Sequence, residues 1–123
     1  MAIPKSRSGC PIASTLDLVG DRWSFVILRD MLNGKSRFAE FLDGPERITT
    51  NILADRLARM EEIGLVRREA YQSRPTRHAY LLTEKGADFL PVLQEICRWG
   101  NRHIPGTWIP PKAFMARRPA ARG

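Results

Sequence analysis

The sequence predicts a mainly α fold that carries one small β-hairpin, on three observations. Apolar residues recur at helical spacing in five separate segments. Two strand-like runs, Leu65 to Tyr71 and His78 to Leu82, flank a loop from Gln72 to Arg77 that contains Pro75. At 123 residues and 43% hydrophobic, the chain is long enough for one compact core and too short for two independent domains.

The first helix is expected from Pro11 to Val19, with proline in its first turn, Ile12, Leu16 and Val19 on one side, and Gly20 as its stop. A second runs from about Arg22 to Leu32. Its Trp23, Phe25, Val26, Ile27, Leu28, Met31 and Leu32 leave few solvent-facing positions, as in a central buried helix. After the Asn33-Gly34 turn, Ser36 is the expected cap of a short helix bearing Phe38, Phe41 and Leu42, closed by Asp43-Gly44-Pro45. The segment from Ile48 to Ile63 begins with Thr49 and Thr50 as caps, sets Leu53, Leu57 and Met60 at helical spacing, and meets Gly64 as a terminator. A last helix is expected from about Glu84 to His103, capped at Thr83 and weakened or kinked by Gly86 and Pro91. Its apolar residues, among them Phe89, Val92, Leu93, Ile96 and Trp99, cover more than a narrow stripe, so one side is expected to face a second subunit.

Residues 1–9 are expected to form a flexible arm, 10–109 the folded domain, and 110–123 a disordered, basic, proline-rich tail. The formal charge of +7 is concentrated at these ends: Lys5 and Arg7 precede the first helix, while Lys112, Arg117, Arg118 and Arg122 lie in the tail. Between residues 8 and 109, 14 basic residues face 13 acidic ones, so net charge alone does not specify a polyanionic partner.

Cys10 and Cys97 form no CxxC pair and no disulfide framework, and are expected to be reduced thiols. With His78 and His103 as the only histidines, neither a metal site nor a cofactor is expected. The chain lacks an unbroken apolar stretch of membrane-spanning length and a signal-peptide pattern, which implies a cytoplasmic protein with no membrane partner. Because nucleophile motifs, phosphate-cradling glycine loops and paired carboxylates are also lacking, catalysis is not expected.

Two closely connected helices followed by a hairpin form the winged version of the helix-turn-helix, whose second helix enters the major groove of duplex DNA. Here that helix is the one from Thr49 to Ile63. Opposite its apolar stripe lie Asn51, Asp55, Ala58 and Glu62, flanked by Thr50, Ala54 and Arg59. Thr49, Thr50 and Asn51 at the N-terminus suit phosphates and base edges, and Ala54 leaves room for a thymine methyl group. The same pattern also fits an ordinary amphipathic helix with threonine caps. Arg56 lies near the core edge, where a salt bridge to a neighbouring helix and a phosphate contact are equally compatible. On the hairpin, Arg67, Arg68, Arg74 and Arg77 are opposed only by Glu69. Such a basic ridge suits backbone phosphates or an adjacent minor groove; a solvated charged loop is the plainer alternative.

The segments Cys10-Pro11, Leu18-Val19-Gly20-Asp21-Arg22-Trp23, Ile27-Leu28-Arg29-Asp30, Arg37-Phe38-Ala39-Glu40-Phe41 and Leu53-Ala54-Asp55-Arg56-Leu57 follow one another in a recognisable order. They continue with Gly64-Leu65-Val66-Arg67-Arg68, Tyr80-Leu81-Leu82-Thr83-Glu84-Lys85-Gly86, Leu90-Pro91-Val92-Leu93 and Trp99-Gly100. In these pieces the chain resembles the HxlR-type regulators, a branch related to the MarR-like winged-helix proteins, from roughly Cys10 to Gly100. The resemblance implies a winged helix-turn-helix with N- and C-terminal dimerisation helices, a homodimer on a palindromic or pseudo-palindromic operator, and control of transcription, commonly repression. The chain departs from the family at Ala79, where an acidic residue commonly precedes the tyrosine, so a wing salt bridge is not expected there. The same fold without an operator would serve as a protein-interaction or RNA-binding module.

Two sensory routes are compatible with the residues. Cys10 precedes the first helix, where the helix dipole with Lys5 and Arg7 would favour the thiolate, and the resemblance implies an oxidant- or electrophile-sensing thiol at this position. An inert thiol packed at a dimer interface is the alternative, and Cys97, among apolar residues, is expected in the core. The second route is a small-molecule effector between the dimer helices, with Trp23, Phe25, Trp99 and Trp108 as candidate lining.

Overall fold

The computed structural model describes residues 7–119. Lys5 and the rest of residues 1–6, with Arg122 in residues 120–123, lie outside the described residues. The element order is α1 (Pro11–Val19), α2 (Ser24–Leu32), α3 (Phe38–Leu42), α4 (Thr50–Glu62), β1 (Val66–Ser73), β2 (Thr76–Leu82), α5 (Glu84–Ala87), α6 (Leu90–His103) and α7 (Lys112–Ala116). Mainly helical with a two-stranded antiparallel hairpin, this is the winged helix-turn-helix order expected from the sequence.

Helix ends follow local chemistry. The carboxylate of Asp21 accepts the backbone N–H groups of Trp23 and Ser24, both at 3.0 Å, so α2 starts at Ser24 rather than Arg22. At α3 the expected cap Ser36 gives way to Glu40, whose Oε1 accepts the N–H groups of Ser36 (3.1 Å) and Arg37 (2.8 Å). Thr49 Oγ1 accepts from Ile52 N–H at 3.4 Å and caps α4. At the other end of α4, Gly64 adopts φ +85°, and the N–H groups of Gly64 and Leu65 reach the carbonyls of Glu61 and Met60 at 3.1 and 2.9 Å. That left-handed closure favours glycine and satisfies carbonyls the helix would otherwise leave open.

The hairpin is longer than its sequence indicates. Strand pairing runs from Val66↔Leu82 to Ser73↔Thr76, with an irregularity between Ala70 and Gln72, so only Arg74 and Pro75 make the turn. At its base, Arg37 bridges Ala79 and the Tyr80 N–H donates to Ser36 O at 2.7 Å, attaching the hairpin to the chain just before α3.

The expected last helix is divided at Asp88-Phe89 into α5 and α6. Pro91 supplies no N–H, and its ring would collide with the Ala87 carbonyl in a continuous helix. Gly86 has a packing role: a Cβ there would lie 2.1 Å from the Leu65 carbonyl oxygen, so α5 can approach the start of β1 only with glycine.

The segment after α6 differs from the disordered tail expected from composition. It forms α7, and Phe114 is buried. The buried Gln94 side chain donates to the carbonyls of Phe114 (3.0 Å), Met115 (3.4 Å) and Arg117 (2.8 Å), while the Arg117 guanidinium donates to Leu32 O. A short apolar pair, Phe114-Met115, and three satisfied carbonyls hold what the prolines and arginines made look unstructured. Around Leu28, Phe41, Leu53, Leu57, Met60 and Leu90 the helices share one core with the base of the hairpin.

Candidate nucleic-acid interface

The stripe of α4 expected to be apolar is its buried side: Leu53, Leu57 and Met60 lie in the core. Thr49, Thr50, Asn51, Ala54, Asp55, Ala58 and Glu62 are exposed. The helix thus presents a polar face whose first turn has open N–H groups, the arrangement that favours anions at helix N-termini.

Two arginines of α4 point elsewhere. Arg56 Nε donates to Asp21 at 2.9 Å, and its guanidinium also pairs with Asp55. Arg59 donates to the backbone carbonyl of Asp17 in α1 at 3.0 Å. Of the two roles open to Arg56, the structure places it in the salt bridge. Asp21 is the common node: it caps α2, accepts the Ser24 hydroxyl, and holds Arg56 of α4. Burial pushes its carboxyl up. The hydrogen bonds from Ser24, Trp23 and Arg56 outweigh that effect and hold it below its ordinary value. Asp21 is therefore a clasp between α2 and α4.

A second clasp sets the loop before α4. The Arg29 guanidinium forks onto Glu46 at 2.7 and 2.9 Å and onto Asp30 at 3.0 and 2.8 Å. The hydrogen bond from Arg29 lowers the Glu46 pKa despite some desolvation, and the same bond raises that of Arg29. Glu46 lies three residues ahead of the Thr49 cap, so this pair fixes the entry into α4.

The hairpin arginines divide into two pairs. Arg67 pairs with Glu69 along β1 at 2.9 Å, and Arg68 with Glu61 of α4 at 3.0 Å, which ties the wing to that helix. Arg74 and Arg77, at and beside the turn, have no ion-pair partner among the described residues. Sequence reasoning passed over two further cations. The Arg37 guanidinium stacks over the Tyr71 ring at 4.1 Å, an attachment of the wing where Ala79 offers no charge. Arg47 is exposed in the left-handed region, with φ +58°, two residues before Thr49. Nothing in their local sequence separates them from ordinary surface arginines: the contact of Arg37 with β1 is a product of the fold, and Arg47, though adjacent to α4 in sequence, lies outside the helical pattern.

Cys10 is exposed at the N-cap of α1 in an extended conformation, and Cys97 is partly buried on α6. Of the candidate effector-lining aromatics, Phe25 and Trp108 border the same cavity, whereas Trp23 and Trp99 do not.

The chain matches the HxlR-like helix-turn-helix family over residues 18–107. It belongs to that family. The HTH-type transcriptional regulator YdeP of Bacillus subtilis is 36% identical over 95 residues, spanning 77% of this chain and 74% of the relative. Among solved structures, PA1607, described as a transcription factor, superposes with a TM-score of 0.76 at 32% identity, covering 94% of this chain and 82% of that one. The redox regulator HypR in its oxidised form gives 0.69 at 35% identity over 76% of this chain and 97% of its own. This HxlR-like chain is accordingly a transcriptional regulator with a helix-turn-helix DNA-binding domain. No helix among the described residues is long and apolar enough to cross a membrane.

Proposed function

We propose that the chain represses transcription as a homodimer bound to a palindromic or pseudo-palindromic operator, with α4 in the major groove and the β1–β2 wing along the flanking backbone. The observation that carries this reading is the division of α4. Arg56 and Arg59 fasten its inner side to Asp21 and Asp17, leaving Thr50, Asn51, Ala54 and Asp55 exposed on a rigid support. Asn51 is suited to adenine, Ala54 to a thymine methyl group and Asp55 to a cytosine amino group, while Thr49 and Thr50 sit where phosphates meet the helix N-terminus. Arg74, Arg77 and Arg47 supply phosphate contacts that need no internal ion pair to be broken, whereas Arg67 and Arg68 serve first to stiffen the wing.

The second subunit docks on α1 and α6. Ile12 is 73% exposed, Trp99 62%, and Leu16, Val92 and Ile96 each more than two-fifths, a concentration of large apolar side chains that a monomer rarely leaves in water. A two-fold contact through these helices gives two copies of α4 with the symmetry of a palindrome. Cys10, exposed at the head of α1 beside this surface, is the thiol that links oxidants or electrophiles to operator release, as befits a relative of a redox regulator. The compartment in which such a thiol and an operator meet is the cytoplasm.

Thr50→Ala, Asn51→Ala and Arg74→Ala/Arg77→Ala, titrated against an operator and scrambled DNA, test the reading. Changes on α4 alter sequence preference, whereas the wing changes weaken all sequences and lower the salt slope by about 0.9 per lost phosphate contact. Unaltered binding in both sets contradicts it. For the thiol, mild oxidation weakens operator binding in the wild type and not in Cys10→Ser; an identical response in both removes Cys10 from sensing.

A further inference from the structure

A cavity of about 470 Å³ lies between α2, α6 and the segment after α6, walled by Phe25, Val26, Leu93, Cys97, Pro111 and Phe114. It opens to solvent beside the exposed Trp108 and Ile109, and sites for small ligands fall in roughly this size range. The far wall is a fixed part of the fold. Gln94 holds the carbonyls of Phe114, Met115 and Arg117, and Arg117 reaches back to Leu32 O at the end of α2.

The polar atoms of the wall define the occupant. Arg29 borders the cavity, but its guanidinium is already shared between Glu46 and Asp30, so it offers no uncompensated cation to an anion. Asn33, exposed at the rim, donates through Nδ2 to Arg29 O at 2.8 Å, and its amide oxygen accepts no hydrogen bond among the described residues, so it is open to an occupant. An acceptor in an otherwise apolar wall is matched by a hydroxyl or N–H donor. We propose that this cavity binds a small, uncharged, mainly apolar molecule, such as a two-ring aromatic, that carries one hydrogen-bond donor. An occupant in contact with Arg29 lies one ion pair from Glu46 and the loop that leads into α4. Its regulatory meaning rests on the operator-binding reading above, whereas binding itself is measured without DNA.

Isothermal titration calorimetry of the full chain with 2-naphthol and with 2-naphthoate tests the proposal. The wild type is compared with Val26→Phe and Cys97→Phe, which fill the cavity from α2 and from α6. Far-UV circular dichroism identifies the folded variants, and either filler alone carries the comparison if the other fails to fold. The expected result is one saturable 2-naphthol site per chain, bound about tenfold more tightly than 2-naphthoate and weakened about tenfold in the fillers. Absence of saturable 2-naphthol binding, equal or tighter binding of 2-naphthoate, or undiminished 2-naphthol binding in folded fillers each overturns it. In the last case the probe occupies another surface, such as the exposed faces of α1 and α6. Specific 2-naphthol binding supports the cavity whether or not the same sample binds an operator, so failure of one reading is distinguishable from failure of the other.

Discussion

Removal of the Asp21 carboxylate probes the clasp between α2 and α4. In Asp21→Ala, α2 loses the acceptor for its Trp23 and Ser24 N–H groups, a capping loss of about 1 kcal/mol. The Ser24 hydroxyl, on a residue only 1% exposed, loses its acceptor inside the protein, at about 1–3 kcal/mol. The pair with Arg56 is partly solvated, with side chains 28% and 27% exposed, and contributes less than about 1 kcal/mol. Urea unfolding at pH 7 should therefore show a loss of about 3 kcal/mol, a large part of the roughly 5–15 kcal/mol typical of a domain. Asp21→Asn keeps an acceptor oxygen and should lose about 1 kcal/mol. Because the folded state holds the Asp21 carboxyl below its ordinary 3.8, the unfolded chain takes up the proton first. Its stabilisation is complete well above pH 3.8 and fades as pH falls through and below that value, so the gap between wild type and Asp21→Asn should narrow there. A loss below about 0.5 kcal/mol in Asp21→Ala, or a gap that widens on acidification, would refute the clasp.

Other perturbations address separate contacts. Gly86→Ala drives a Cβ toward the Leu65 carbonyl and should cost about 3 kcal/mol in urea unfolding; a loss under about 1 kcal/mol would show that α5 is free to move away. Gln94→Ala strips three carbonyls of their shared donor, so trypsin should cut after Arg117 much faster than in the wild type, whereas equal rates would mean that Phe114 alone retains α7. Trp99→Glu places a charge on the exposed α6 face and should convert the proposed dimer to monomers in sedimentation equilibrium, with operator affinity reduced; a dimer that survives the change would assign the subunit contact elsewhere. Glu46→Gln leaves one arm of Arg29 without its carboxylate and should weaken operator binding severalfold with less than about 1 kcal/mol of lost stability, as measured by parallel titration and urea melts.

The local patterns were legible where one element carries its own signal. Leu53, Leu57 and Met60 disclosed the buried side of α4, and Thr49 and Gly64 its two ends, because caps and apolar periodicity act over three or four residues. What escaped depends on partners distant in the chain. A salt bridge was one of the two roles open to Arg56, but its partner Asp21 stands 35 positions away; Arg59 meets Asp17 across 42, and Arg117 meets Leu32 across 85. The four wing arginines looked alike in sequence because Glu61, which engages Arg68, belongs to a different element. The division at Asp88-Phe89 was foreshadowed by Pro91, but the reason for Gly86 lies in the approach of α5 to Leu65. For α7, abundant proline and arginine obscured the one signal present, the apolar pair Phe114-Met115.

The most direct test of operator recognition is hydroxyl-radical footprinting on duplexes selected from a random pool by the purified full chain. The account predicts two protected, symmetry-related half-sites centred about one helical turn apart, with two chains bound per duplex. Selected duplexes without two-fold symmetry, or binding that scrambled competitor DNA abolishes at equal concentration, would contradict it.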